Sequence, residues 1–205
     1  MFNDVNVASP ILDVVPGARG RVLAALATRA SGRATGRELS RRARVPATTA
    51  QRVLDDLVDA GVVNTERLGP AIGYELNARH LLAQAIIELT RARVNLLEAI
   101  KGAMRAWTVQ PVAGWLYGST ARADGDRHSD IDVLLVVPDR FDDDVWSRQV
   151  GELGALIREL TGNHAEIIEH SRRSLRDLER DGSPFVASLR ADGLDLFDSS
   201  WARLR

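Results

Sequence analysis

The chain of 205 residues contains no cysteine, which excludes a disulfide framework and any thiolate metal site. Aromatic residues make up only 5%, and Lys101 is the sole lysine, so arginine carries nearly all the positive charge. No apolar run reaches the roughly 18 residues a membrane helix needs, and no basic stretch leads into an apolar one at the N-terminus. Neither a membrane span nor a signal peptide is expected, and a cytoplasmic location is the default. What is present is ordinary for a globular protein: 45% hydrophobic and 27% charged residues, with room for one large domain or two small ones.

The net charge of −1 conceals an uneven distribution. Between Gly17 and Leu54 stand nine arginines and one acid, Glu38, so this window carries +8 and the remainder −9. Such a block is either an electrostatic footprint for nucleic acid or a solvated arginine-rich face. Residues 1–18 hold two prolines and no clear period, and read as an N-terminal arm. Val22, Leu23, Leu26 and Ala30 fall at helical spacing within Arg19–Ala30. Thr35 with Glu38 forms a capping box ahead of a helix over Gly36–Ala43. Pro46 suits the first turn of a third helix, which Gly61 ends after Ala60. Val62-Val63 and Ile72–Leu76 then read as two short strands about a turn at Leu68-Gly69-Pro70.

Three helices, a tight turn and a two-stranded wing resemble the winged helix-turn-helix family over residues 19–77. The resemblance implies that Ala47, Thr48, Thr49, Gln51 and Arg52 face the major groove of duplex DNA. It places Arg41, Arg42, Arg44 and wing Arg67 near phosphates. A winged helix used only for protein contacts or dimerisation is the alternative. Beyond it, Leu81, Leu82, Ala85, Ile86, Leu89, Val94, Leu97 and Ile100 predict one long amphipathic helix over Asn77–Trp107, a connector spanning 78–110 and a candidate homodimer seam.

The remainder, 111–205, reads as a small mixed sheet with flanking helices, giving an α+β chain. Val112–Tyr117, Ile131–Val137 and Ala165–His170 are its strands, with a last edge strand at Leu194–Phe197. Helices are expected over Asp142–Leu160, Ser174–Arg180 and Pro184–Ala191. Asp142-Asp143-Asp144 opens the first of these, where acids favour the helix dipole, and is read as capping. His128, His164 and His170 match no zinc spacing and are read as loop or solvent-facing residues.

Asp130 and Asp132 lie two apart at the start of an apolar strand, so both project to one face, about 6–7 Å apart at Cα. Two carboxylates so placed repel unless something positive lies between them, and hard divalent ions such as Mg²⁺ suit one or two carboxylates plus substrate phosphates. Two such ions can align an attacking oxygen and a leaving pyrophosphate. Gly118-Ser119 stands where a strand breaks into a helical turn, so backbone N–H groups and the Ser119 hydroxyl can cradle a phosphate.

Gly118-Ser119, nine intervening residues and Ser129-Asp130-Ile131-Asp132-Val133, with Ala121-Arg122 after the first pair, resemble the signature of the DNA polymerase beta-like nucleotidyltransferases, above all the minimal MNT type. The resemblance covers roughly 111–198. It implies that Asp130 and Asp132 hold Mg²⁺, that Gly118, Ser119, Arg122 and Ser129 bind the nucleotide, and that a third carboxylate comes from the next strand. Members usually have an aspartate there; Glu166 takes that place here, with Glu169 expected to face the other way into solvent. Ala123 stands where a glycine often follows the arginine, and no separate substrate lobe is expected. The implied activity is transfer of AMP from ATP to a hydroxyl of a protein or small molecule. MNT-type relatives modify a partner protein in toxin–antitoxin pairs. The alternative is a DNA-binding regulator whose second domain senses nucleotide or is inactive, and a third option is a dimeric scaffold.

Overall fold

A computed structural model describes residues 5–28, 32–198 and 200–204. The chain forms two compact units, one over Ser9–Ala92 and one over Arg93–Arg205 joined by the N-terminal segment through Ala8.

The first unit comprises α1 (Ile11–Val14), α2 (Gly17–Ala27), β1 (Ala34–Thr35), α3 (Gly36–Ala43), α4 (Ala47–Asp59), β2 (Val63–Leu68), β3 (Ala71–Leu76) and α5 (Ala83–Leu89). Val22, Leu23 and Leu26 of α2 are buried as their spacing requires, while Arg29 and Ala30 lie outside the described residues. Thr35 caps α3 by accepting the Glu38 N–H at 3.3 Å. Between α3 and α4 the chain turns through Arg44, which holds a left-handed φ of 52°. Leu39, Leu54 and Leu57 fill the core beneath. The wing has three strands rather than two, in the order β1-β3-β2, because Ala34 and Thr35 pair with Tyr74 and Gly73. Two residues are too short a run to show a period.

The second unit comprises α6 (Ala92–Arg105), β4 (Ala113–Tyr117), α7 (Gly118–Arg122), β5 (Ile131–Val137), α8 (Asp143–Thr161), β6 (Ala165–Ser171), α9 (Arg172–Arg180), α10 (Pro184–Asp192), β7 (Leu194–Asp195) and α11 (Ser200–Arg203). Its sheet runs β6-β5-β4-β7, with β4 antiparallel to both neighbours and β6 parallel to β5. Strand β5 is covered on both faces. Val133 and Leu135 join Leu96, Ile100, Leu153 and Ile157 in one core, and Leu134 and Val136 join Leu175, Val186 and Leu189 in another. That explains why its sequence is a continuous apolar run rather than an alternation. Asp142 caps α8 by accepting the N–H groups of Asp144 and Val145, as its place before the acidic turn implies.

Two expected boundaries change. The single helix over Asn77–Trp107 is two helices, α5 in the first unit and α6 in the second. At the break Thr90 and Arg91 donate their N–H groups three residues back, to Ile87 and Glu88, and the Thr90 hydroxyl also bonds the Ile87 carbonyl. The apolar period ran on because each half serves its own core, Ile86 in one and Leu96, Ile100 and Met104 in the other. The expected arm over 1–18 is also divided. Val5 and Val7 pack into the second unit, and α1 and the start of α2 belong to the first.

Asn163, 2% exposed, ties the second unit together. Its amide donates to the carbonyls of Arg127 and Ser129, each at 3.0 Å, and its Oδ1 accepts the Val5 N–H at 3.0 Å. Asn163→Ala strands the Arg127 and Ser129 carbonyls, while the Val5 N–H keeps the Thr161 carbonyl at 2.9 Å, so a loss of about 2–3 kcal/mol is expected in denaturant melts. Asn163→Asp should be at least as damaging at neutral pH, since it sets a carboxylate against those two carbonyls.

Candidate functional site

Strand β4 ends at Tyr117 beside the start of its antiparallel neighbour β5, so Tyr117 pairs with Asp132, and Asp132 in turn pairs with Glu166 on β6. Directly paired residues share a face. The register therefore lines up Tyr117, Asp132 and Glu166 across three strands. Tyr117 turns its ring edge-on to Phe185 of α10, with centroids 5.5 Å apart.

Immediately after Tyr117 the chain turns through Gly118 at φ 68°. A Cβ there would lie 1.9 Å from Asp132 Oδ2, so only glycine permits this turn against the carboxylate. Helix α7 follows and ends at Ala123, which holds φ 58°. An L-residue there carries a strain of about 1–2 kcal/mol that glycine would escape. The N–H of Asp124 returns to the Ser119 carbonyl, and Arg93 donates to the Ala121 carbonyl at 2.7 Å, closing the far end of the turn.

The electrostatics single out Asp132. Its carboxyl is half-buried and pushed up to about 6, first by burial, then by the charge of Glu166, then by that of Asp130, with Arg122 opposing. Glu166 thus bears on Asp132 more than Asp130 does. Tyr117 is pushed up to about 12 by burial and by the same two carboxylates, Asp132 and Glu166.

Asp130 stands just before β5, exposed, where it lines a cleft with His128, Arg158 and His164. Ser119, Ser129 and Gly125 converge, since a Cβ on Gly125 would meet the two hydroxyls at 2.8 and 3.1 Å. The Ser129 hydroxyl is occupied, accepting the Asp126 N–H and donating to the Asp126 carboxylate. Arg122 donates to Asp124 at 3.0 Å while its charge still reaches Asp132. Glu169 is exposed, as expected, but its carboxylate accepts the Trp146 indole N–H at 2.5 Å. The residue that the sequence reading missed is Tyr117, and the antiparallel pairing of the two strands it had located would have placed it opposite Asp132.

Among the described residues no three His, Asp or Glu side chains converge as a metal-holding group. The donor set nevertheless fits a hard cation. Asp132, flanked by two carboxylates that raise its affinity for a proton, is equally a place for Mg²⁺, which needs only one or two protein carboxylates when substrate phosphates supply the rest.

In the first unit Arg41, Arg42, Arg44, Thr48, Arg52 and Arg67 are exposed and Thr49 is half-buried. Gln51 is less free than expected, its amide donating to Tyr74 at 2.9 Å and to Asp55 at 2.7 Å. Arg33 is held between Glu66 at 2.7 Å and Glu75 at 2.9 Å, so part of the basic window is structural.

Residues 20–76 match the family described as "Sugar-specific transcriptional regulator TrmB", and residues 97–184 match the family described as "Nucleotidyltransferase domain". The chain therefore joins a TrmB-type winged helix, a DNA-binding regulator's domain, to a nucleotidyltransferase domain. No curated protein matches significantly. Of solved structures, TrmBL2, an archaeal chromatin protein, is 17% identical over 90% of this chain and 78% of its own, with a TM-score of 0.32. Human N-acetylserotonin methyltransferase is 16% identical over 49% of this chain, which spans 31% of it, with a TM-score of 0.29.

The raised Asp132 carboxyl makes stability depend on pH. Well below the ordinary carboxyl value of 3.8 it is protonated folded or unfolded, and no penalty exists. As pH rises from about 4 to about 6 the unfolded chain has lost the proton that the native state retains, so native stability is progressively lost, and the loss is complete above that range. Asp132→Asn should match the wild type near pH 3 and exceed it by about 1–2 kcal/mol at pH 7.5, allowing for screening at a half-exposed group. Thermal melts across that range check it, and an equal difference at both pH values would contradict it.

Proposed function

We propose that the protein transfers AMP from ATP to a hydroxyl acceptor, with release of pyrophosphate, and binds duplex DNA through its winged helix. The observation that carries the first half is the approach of the Gly118 backbone to Asp132, which brings a phosphate-cradling turn against a carboxylate. Gly118 and Ser119 hold the triphosphate, and Arg122 adds positive charge beside it. Asp130 and Asp132 hold Mg²⁺, with Glu166 completing the set. When bound, the ion neutralises phosphate charge and favours departure of pyrophosphate. Glutamate reaches one methylene further than aspartate, which lets an exposed carboxylate at position 166 swing toward the other two.

The double variant Asp130→Asn/Asp132→Asn is expected to abolish release of labelled AMP and pyrophosphate from ATP. Glu166→Gln should lower it by at least a hundredfold, and Glu169→Gln by less than threefold. Full activity in the double variant would sink the assignment. A second reading, a nucleotide sensor, draws on the exposure of Asp130 and Glu166. ATP binding without turnover, reported by a raised melting temperature in the presence of Mg²⁺, would select it.

The DNA half rests on exposed arginines around α4. Arg44 stands at a left-handed turn position where glycine would be unstrained, and a retained strained residue is a pointer to function. Arg41, Arg42, Arg44 and Arg67 contact phosphates, while Thr48, Thr49 and Arg52 face base edges. Gln51 ties the recognition helix to the wing. A second copy belongs to the same reading, since one recognition helix spans few base pairs, and Leu81 and Leu82 are 92% and 52% exposed.

Arg44→Gly offers a diagnostic, because it should hold or raise stability while weakening DNA binding. Electrophoretic shifts should show an affinity that falls steeply with salt, with a slope reduced by about one counterion in Arg44→Gly. Arg52→Ala should blur sequence preference by about 1–3 kcal/mol. An absence of duplex binding even at low salt would leave the winged helix as a protein-contact module.

A further inference from the structure

A polar cleft of about 300 Å³ opens beside Asp130 and is lined by His128, Arg158 and His164. Ser129 and Asp130 line its inner side, so the cleft adjoins the candidate site, while His128, Arg158 and His164 belong to neither the cradle nor the carboxylate row. Arg158 comes from the end of α8, His128 from the loop before β5, and His164 from the entry to β6. The loop is fixed, because Asn163 bonds the Arg127 and Ser129 carbonyls and Ile131 donates to the His164 carbonyl at 2.8 Å. Arg158 Nη2 lies 3.5 Å from His164 Nδ1. With Nδ1 accepting, the ring proton sits on Nε2, which is left as a donor. Arg158 has no carboxylate partner among the described residues, so the cleft presents its guanidinium and the His164 imidazole beside the Asp130 carboxylate.

Its position relative to the cradle matters more than its charge. The sheet order is β6-β5-β4. Gly118-Ser119 leave the end of β4, Asp130 and Asp132 sit at the start of β5, and the cleft lies at the start of β6, all at one end of the sheet. The cleft and the cradle thus flank the carboxylates on opposite sides. In-line displacement at phosphorus requires the attacking oxygen to enter opposite the leaving group. If pyrophosphate leaves toward the cradle, the acceptor enters from the cleft.

We propose that this cleft is the acceptor subsite and that it selects an acceptor bearing a phosphate group, held by Arg158 and His164, with His128 at its rim. The inference rests on the nucleotidyl-transfer reading for its chemistry. The acceptor oxygen bonds to the α-phosphorus of ATP as the bond to the bridging oxygen of pyrophosphate breaks, and the hydroxyl proton passes to the Glu166 carboxylate, two residues beyond His164.

Ribose 5-phosphate and ribose serve as probes, with and without the phosphate. Titrated into the full chain and followed by the imidazole NMR signals of His128 and His164, ribose 5-phosphate should shift both signals and ribose neither. Arg158→Ala should weaken that binding at least tenfold and Arg158→Lys less, at unchanged melting temperature. Ser119→Ala should leave it in place. Equal responses to the two probes, undiminished binding in Arg158→Ala, or loss in Ser119→Ala alone would overturn the subsite. Release of labelled AMP from ATP by the wild type is measured separately. Its absence would end the transferase reading, while the NMR titration still decides the cleft.

Discussion

The contact between the Gly118 backbone and the Asp132 carboxyl organises the second unit. A β4–β5 hairpin partner could have been made with any residue after Tyr117 if the chain had turned elsewhere. Turning at a positive φ directly over Asp132 brings the backbone at one strand's exit against the carboxylate at the next strand's entry. The burial of β5 on both faces then fixes the register, because slipping it by one residue would exchange Val133 and Leu135 with Leu134 and Val136 and carry Asp132 into the opposite core.

That register creates a charge problem in the protein alone. Burial, Glu166 and Asp130 all oppose ionisation of Asp132, and only Arg122 favours it. Arg122 cannot cancel three opposing influences while also paired to Asp124. A bound cation and the phosphates it brings would satisfy Asp132 better than any side chain present. The same field acts on Tyr117, whose hydroxyl stays protonated well into alkaline pH and so remains a hydrogen-bond donor beside the carboxylates.

Most of this was legible from residue types and spacing. The Gly-Ser pair and the paired aspartates pointed to the candidate site, Thr35 and Asp142 marked helix starts, and Gly69 marked the wing turn. What escaped was set by pairing rather than by local pattern. Glu166 acts more strongly on Asp132 than Asp130 does, because cross-strand neighbours lie closer than residues two apart on one strand. The helix break at Thr90 was hidden because apolar spacing persists when two successive helices face two different cores. Gln51 looked free for base contact because nothing in a linear reading announces Tyr74, 23 residues on.

Two non-glycine residues hold left-handed turns next to the two proposed functions, Arg44 between the helices of the first unit and Ala123 after the cradle. The strain is similar, but what the side chain returns differs. Arg44 brings a guanidinium to a face where phosphate contacts would use it, so glycine there would gain backbone ease and lose charge. Ala123 brings only a methyl group. Its strain is held by the Ser119 and Thr120 carbonyls accepting the N–H groups of Asp124 and Ala123, and by Arg93 on the Ala121 carbonyl. The cradle is thus kept in shape by its surroundings rather than by its own backbone preference, and Arg93, outside the motif, becomes part of what shapes it.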